Sequence, residues 1–451
     1  MCCIGLTQTK RAAYLVPFIL ALFIQTASTM REDFLHFVWR TRRFDAVDLA
    51  TTQGDPLTIL HPGEWNNHAG PDFFNARIRI GDTLWAGNVE LHVRASDWVA
   101  HRHSNDAAYR NVVLHVVLDE DTTIHTPEGK RLPCLALRSR IPARIMQSWF
   151  RLAHEQRWIP CAADWPNTPP LLRVNWLDRL LVERLESKTD MVAKVLTDTG
   201  NHWEEAFYRL LSRHFGLSVN VEPFEWLASS TPLSLLSRHR HQLFQVEALL
   251  FGQAGLLEEP FADEYPLALA KEYRFLKHKY QLQPLDRSVW KFFRLRPAGF
   301  PTVRVAQLAA LTHRETNLFS AVLEAQSVAD MEALFDVSPS AYWLTHYRFD
   351  RPSVPLDKRP GEAFIHRMLI NTVIPALYHY GRRNGQHDVC DAALAMLETL
   401  PPEHNKVMEG WQALGERATQ AAHSQALLHL KKHYCDARRC LECPIGTSLI
   451  R

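Results

Sequence analysis

The chain has 451 residues, a formal net charge of +2, 46% apolar residues and 22% charged residues. That length holds two or three domains with sizeable cores, and the composition is that of a globular protein, which excludes a disordered or fibrous chain. No segment carries the positive excess that drives general phosphate binding, so any contact with DNA or RNA is local, through a patch or a metal.

Residues 1–29 stand apart. KRAAYLVPFILALFIQTAST sets two basic residues before the apolar run Ala12–Ile24, then small polar residues. The run is short for a membrane span and follows signal-peptide grammar. A second reading is a start placed too early, because Met30 follows at once and MREDFLHFVW opens like a domain helix. The early-start reading is preferred and makes the protein cytoplasmic, whereas a true signal makes it exported. Either way residues 1–29 stay out of the fold argument, and no clear membrane span follows them.

From residue 30 the pattern reads α-β-β-β-α-β. REDFLHFVWRTRR puts Phe34, Leu35, Val38 and Trp39 on one helical face. DPLTILHPGE is a short strand entering a Pro-Gly turn. Phe74, Ala76, Ile78 and Ile80 alternate with polar residues as a half-buried strand, and Gly81-Asp82 turns the chain back. On the return strand the apolar positions change from even (Leu84, Ala86) to odd (Val89, Leu91, Val93), which predicts a glycine bulge at Gly87. SDWVAHRHSNDAAYRN, with a Ser/Asp N-cap, reads as a helix. VVLHVVL, residues 112–118, is an unbroken apolar run of the kind covered on both faces.

The hairpin carries chemistry. Asp72 opens the outgoing strand, while Glu90 and His92 share one face of the return strand. Two carboxylates suit a hard divalent cation such as Mg²⁺ or Mn²⁺. Such a cation can hold a scissile phosphate and activate water, with position 92 close enough to assist. Asp72 falls in phase with Phe74, so the Pro71 end must kink to bring the acid round. The competing use of these residues pairs Glu90 with Arg77 or Arg79 across the hairpin and packs His92. Of the 23 histidines, eight lie between Met30 and Arg140. His101 and His103 flank Arg102, and residues two apart on a helix do not face each other, so HRH is not a ready chelate. His115, in an apolar strand, reads as a core residue.

From Trp149 onward the period is helical. NWLDRLLVERLESK repeats through Trp176/Leu177, Leu180/Leu181 and Leu185, and WEEAFYRLLSRHFG through Phe207, Leu210, Leu211 and Phe215 to a C-cap at Gly216. The expected domains are an α/β domain over 30–145, a mostly helical domain over 146–434 in one or two lobes, and a cysteine-rich tail over 435–451. In that tail Cys435-x₄-Cys440-x₂-Cys443 has knuckle spacing for thiolates around one soft metal. His433 is the adjacent fourth ligand, and Cys161 and Cys390 are remote ones. Cys₃His favours Zn²⁺, and a distant fourth cysteine allows an iron–sulfur cluster.

Pro71-Asp72, then Glu90-Leu91-His92, within an α-β-β-β-α-β order, resembles the restriction-endonuclease-like PD-(D/E)xK nuclease superfamily. The resemblance implies an α+β fold with Asp72 and Glu90 as metal ligands and position 92 assisting the nucleophilic water. It also implies an extra acid at Glu32, and a Q-xxx-Y-like element at Asn105 and Tyr109 with Asn in place of Gln. The family has Lys where this chain has His92, which removes a fixed charge beside the phosphate. The whole chain, through phrases such as HPGEWNNHAGPDFFNARI, EALLFGQAGLL, RLRPAGFPTVRVAQLA and RCLECPIG, resembles an uncharacterised bacterial family known only as a domain of unknown function. The expected function is a metal-dependent nuclease acting on DNA or RNA. The alternative is a non-catalytic scaffold that binds nucleic acid or protein.

Overall fold

The structure, a computed structural model, describes residues 30–451 apart from Asn67, Glu259 and Thr316. The readings made for residues 1–29 lie outside the described residues. The chain forms two compact units. One is mixed α/β and runs to Leu172, with His433–Arg451 added to it. The other is helical and comprises Arg173–Lys432. The division falls later than the change of periodicity near residue 145. Among the described residues no helix is long and apolar enough to cross a membrane.

In the α/β unit the helix α1 (Glu32–Arg40) buries Phe34, Leu35, Phe37, Val38 and Trp39. Acids in its first turn and Arg40 in its last suit the helix dipole. The strands β1 (Leu57–His61), β2 (Glu64–Trp65), β3 (Phe73–Ile80), β4 (Thr83–Arg94), β5 (Val112–Asp119) and β6 (Cys134–Ala136) make one sheet. Its order is β1-β3-β4-β5-β6, with β2 beside β3. The first three in that order are antiparallel, and β4, β5 and β6 are parallel. A parallel pair needs a crossover, which residues 95–111 supply. The strand β5 is buried along its apolar run, as expected of a strand covered on both faces.

The extra residue of the hairpin lies in β3 rather than at Gly87. Ala76 pairs with Gly87, yet Phe73 pairs with Val89, so β3 spends one residue more than β4. Asn75 takes it up in a left-handed conformation, φ +58°. The strand β4 therefore carries no extra residue in the hairpin, and Leu84, at an even position, is exposed. Upstream of the bulge the buried residue is Phe73; downstream it is Ala76 and Ile78. That change of phase turns Asp72 to the face of Glu90, with no need for a kink at Pro71. Gly87 is required for another reason. A Cβ there would lie 2.4 Å from Val113 Cγ1 and 2.6 Å from the Asn111 carbonyl oxygen, where β5 begins.

The crossover is not one helix. A single turn, α2 (Asp97–Ala100), ends at His101, Arg102 is left-handed at φ +65°, and two 3₁₀ turns follow, His103–Asn105 and Ala107–Tyr109. Beyond β6, α3 (Ala143–His154) packs on α1, with the Phe34 and Trp149 rings 4.8 Å apart. Arg438, from the C-terminal segment, donates to the Leu152 and Ala153 carbonyls near the end of α3. A cation there suits the helix C-terminus.

The helical unit buries the residues that the period picked out, including Trp176, Leu177, Leu180, Leu185, Phe207, Leu210, Leu211 and Phe215. A π-helical turn, Leu369–Val373, precedes Pro375, which has no N–H to continue the helical ladder.

Candidate metal centre on the α/β sheet

Asp72 and Glu90 are tied reciprocally. The Asp72 amide donates to Glu90 Oε2 at 3.0 Å, and the Leu91 amide donates to Asp72 Oδ2 at 2.9 Å. Neither Arg77 nor Arg79 reaches Glu90; its other oxygen, Oε1, lies 3.3 Å from His103 Nε2 and 3.7 Å from His92 Nε2. The Glu90 side chain is 5% exposed. Burial, then the neighbouring Asp72 charge, pushes its carboxyl up to about 9.

Glu32 belongs to the same electrostatic neighbourhood. Burial raises its carboxyl, opposed first by His101 and reinforced by Asp72. From the next turn of α1, His36 Nε2 comes to 3.2 Å from Asp72 Oδ2.

His92 is buried among other imidazoles. Its Nδ1 lies 2.9 Å from His115 Nε2, and its Nε2 lies 3.1 Å from His101 Nδ1. Burial first, then the surrounding histidines, lowers its pKa to about 2, and burial lowers His115 to about 4. These are neutral rings with lone pairs, not cations. Tyr109 stacks on His103 with centroids 3.8 Å apart. Burial, then Glu90 and Asp72, pushes its hydroxyl up to about 12. Trp98 lies edge-on to both His92 and His103 and closes the apolar side.

The structure thus gathers Asp72, Glu90, His92 and Tyr109, with Glu32 close enough to feel Asp72. It adds His36, His101, His103 and His115, which the sequence reading had not placed in the site. Their signal was the density of histidine in this part of the chain. Asn105 sits on a different 3₁₀ turn from Tyr109, so the two do not form one helical element.

A divalent cation fits this donor set. Two carboxylates lie together, one held protonated by burial and by the other's charge, beside neutral imidazoles. A bound cation would compensate that burial.

In the same unit, Cys161, Cys440 and Cys443 feel one another. Burial pushes Cys161 up to about 12, with Cys443 and Cys440 adding to it, and burial plus Cys443 pushes Cys440 up to about 11. Cys435 and His433 belong to the same unit. Cys390 is instead engaged inside the helical unit, where its thiol faces the Tyr378 carbonyl at 3.6 Å.

Compared with known proteins, residues 32–406 match the family profile described as "Protein of unknown function (DUF2851)". No curated protein and no solved structure matches.

Proposed function

The chain belongs to DUF2851, a family of proteins of unknown function, and we propose that it is a metal-dependent nuclease that hydrolyses phosphodiester bonds in DNA or RNA. The observation that carries the reading is the reciprocal tie of Asp72 and Glu90 across β3 and β4. It fixes two carboxylates side by side on one face of the sheet. The strand order supports a restriction-endonuclease-like core, since the antiparallel path β1-β3-β4 is followed by a crossover to the parallel β5.

Asp72 and Glu90 are the metal ligands. The Mg²⁺ or Mn²⁺ ion that they would hold supplies charge to the phosphate and acidifies water. Glu32, at the start of α1, is the additional acid at the rim. His92 assists the attacking water from beside Glu90, as a neutral imidazole without the fixed charge of a lysine. Tyr109 orients His103 by stacking. The cysteines Cys435, Cys440 and Cys443, joined by Cys161 or His433, hold a structural Zn²⁺ ion or an iron–sulfur cluster apart from the chemistry.

Cleavage of single- and double-stranded DNA and RNA by the purified full chain tests the proposal. Activity should require Mg²⁺ or Mn²⁺ and fall by at least about a hundredfold in Asp72→Asn and Glu90→Gln. A wild-type chain that cuts none of these substrates with either metal overturns it. Nucleic-acid binding that survives both substitutions without cleavage favours the scaffold reading.

A further inference from the structure

The sequence His101-Arg102-His103 cannot chelate from one helix, but the backbone breaks between the two rings. Arg102 adopts φ +65° and ψ +26°, ending α2 and starting a 3₁₀ turn. The reversal swings His103 back beside His101, and both meet His92 on β4. One ring nitrogen from each of the three lies within 4.8 Å of the other two. Metal–nitrogen bonds of about 2.0–2.1 Å set end to end span about 4.2 Å, so slight ring rotation closes the set on one ion.

We infer that His92 Nε2, His101 Nδ1 and His103 Nε2, with Glu90 Oε1 as fourth donor, form a centre for a borderline transition-metal ion of the Zn²⁺ class. The inference rests on Glu90 facing the site proposed above, but not on the hydrolysis. Three observations build it. First, His103 Nε2 is buried with no hydrogen-bond partner, and Glu90 Oε1 lies 3.3 Å from it. Second, the other nitrogen of His92 is held by His115 at 2.9 Å, the outer hydrogen bond that fixes a ligating imidazole's tautomer and aim. With Nδ1–H donated to His115, His92 Nε2 keeps its lone pair for a metal. Third, Tyr109 stacked on His103 and the Trp98 edge fix the ring planes from the apolar side. Neutral imidazoles bind a d-block ion far better than Mg²⁺, which prefers oxygen and retains water. Glu90 then stands between an imidazole pole and the Asp72 pole.

The test uses the full chain, stripped with a chelator and titrated with Co²⁺ alone. Co²⁺ on the cysteines also absorbs in the visible but is marked by sulfur-to-cobalt charge transfer in the near ultraviolet. The histidine site is therefore read as visible ligand-field absorbance gained without that charge transfer. A Cys440→Ser/Cys443→Ser chain, where it folds, removes that background. The expected result is one visible-absorbing Co²⁺ ion displaced by Zn²⁺, with affinity at least ~tenfold lower in His101→Ala and in His103→Ala. Asp72→Asn and Arg102→Gly should retain it, with unchanged circular dichroism. No such ion in the wild type, or wild-type affinity in both histidine variants, overturns the inference. Histidine-dependent Co²⁺ binding without cleavage would sink only the nuclease reading. Mg²⁺-dependent cleavage that persists in both histidine variants, with no Co²⁺ bound, would sink only this one.

Discussion

The amide of Asp72 donates to Glu90 Oε2 at 3.0 Å, while the Leu91 amide donates back to Asp72. Each acid is thus held by the backbone that carries the other. Asp72→Ala would leave the Leu91 N–H without an acceptor, a loss of about 1–3 kcal/mol. Asp72→Asn keeps a carbonyl oxygen there. Urea melts should show the alanine variant less stable by that amount and the asparagine variant near wild type. Lost cleavage in Asp72→Asn then reports on chemistry and not on folding.

Asn75 sets the phase of the hairpin from a left-handed backbone, φ +58°. A β-branched side chain disfavours that region by about 1–2 kcal/mol, whereas glycine enters it freely. Asn75→Val should lower the melting temperature and weaken cleavage together, because straightening the bulge turns Asp72 away from Glu90. Asn75→Gly should preserve both. Equal melting and activity in the two variants would show that the bulge does not hold the site.

Glu247, in the helical unit, is 1% exposed and accepts from the Tyr265 hydroxyl and from Ser340 Oγ at 2.8 Å. Burial pushes its carboxyl up to about 7 from an ordinary 4.5. The folded chain therefore keeps a proton that the unfolded chain loses. This group's contribution is complete below the ordinary value and falls as pH rises toward about 7, by a total on the order of 3 kcal/mol. In denaturant melts at about pH 5 and about pH 8, Glu247→Gln should gain stability relative to wild type at the higher pH. A pH-independent difference between the two proteins would refute the assignment.

The cysteine set makes a separate prediction. Elemental analysis of protein purified without chelator should find zinc or iron, and Cys440→Ser and Cys443→Ser should each lower that content. The Cys161→Ala chain identifies the fourth ligand. A fall equal to that of Cys440→Ser assigns Cys161, and an unchanged content leaves His433. Cys390→Ala should retain the full content, since that thiol faces Tyr378.

Much of the sheet was legible, because alternation in β3 and the apolar run of β5 reflect burial directly. The two acids could be named from the sequence, but spacing alone put Asp72 in phase with Phe74, and only the bulge at Asn75 turns it to Glu90. The bulge was misplaced because Leu84 is apolar yet exposed, at 55%, so apolar count and inward facing parted company there. Asn75 is of a type that enters the left-handed region, but glycine enters it more readily, so residue type favoured Gly87. The crossover misled for a related reason. Its composition permits a helix, but Arg102 takes a conformation that arginine seldom adopts, and this joins His101 to His103. His36 was hidden by separation, since only packing of α1 beside β3 and β4 brings it to Asp72.

Residues 433–451 complete the unit that the first 172 residues begin, and the helical unit interrupts it. On the ribosome, then, the sheet emerges long before its last packing partner. The interposed helices are fully synthesised first. The nascent α/β unit must wait, with the Leu152 and Ala153 carbonyls uncapped, until Arg438 leaves the exit tunnel. A fragment that stops at residue 172 therefore lacks part of its own body. A minimal version would need both segments.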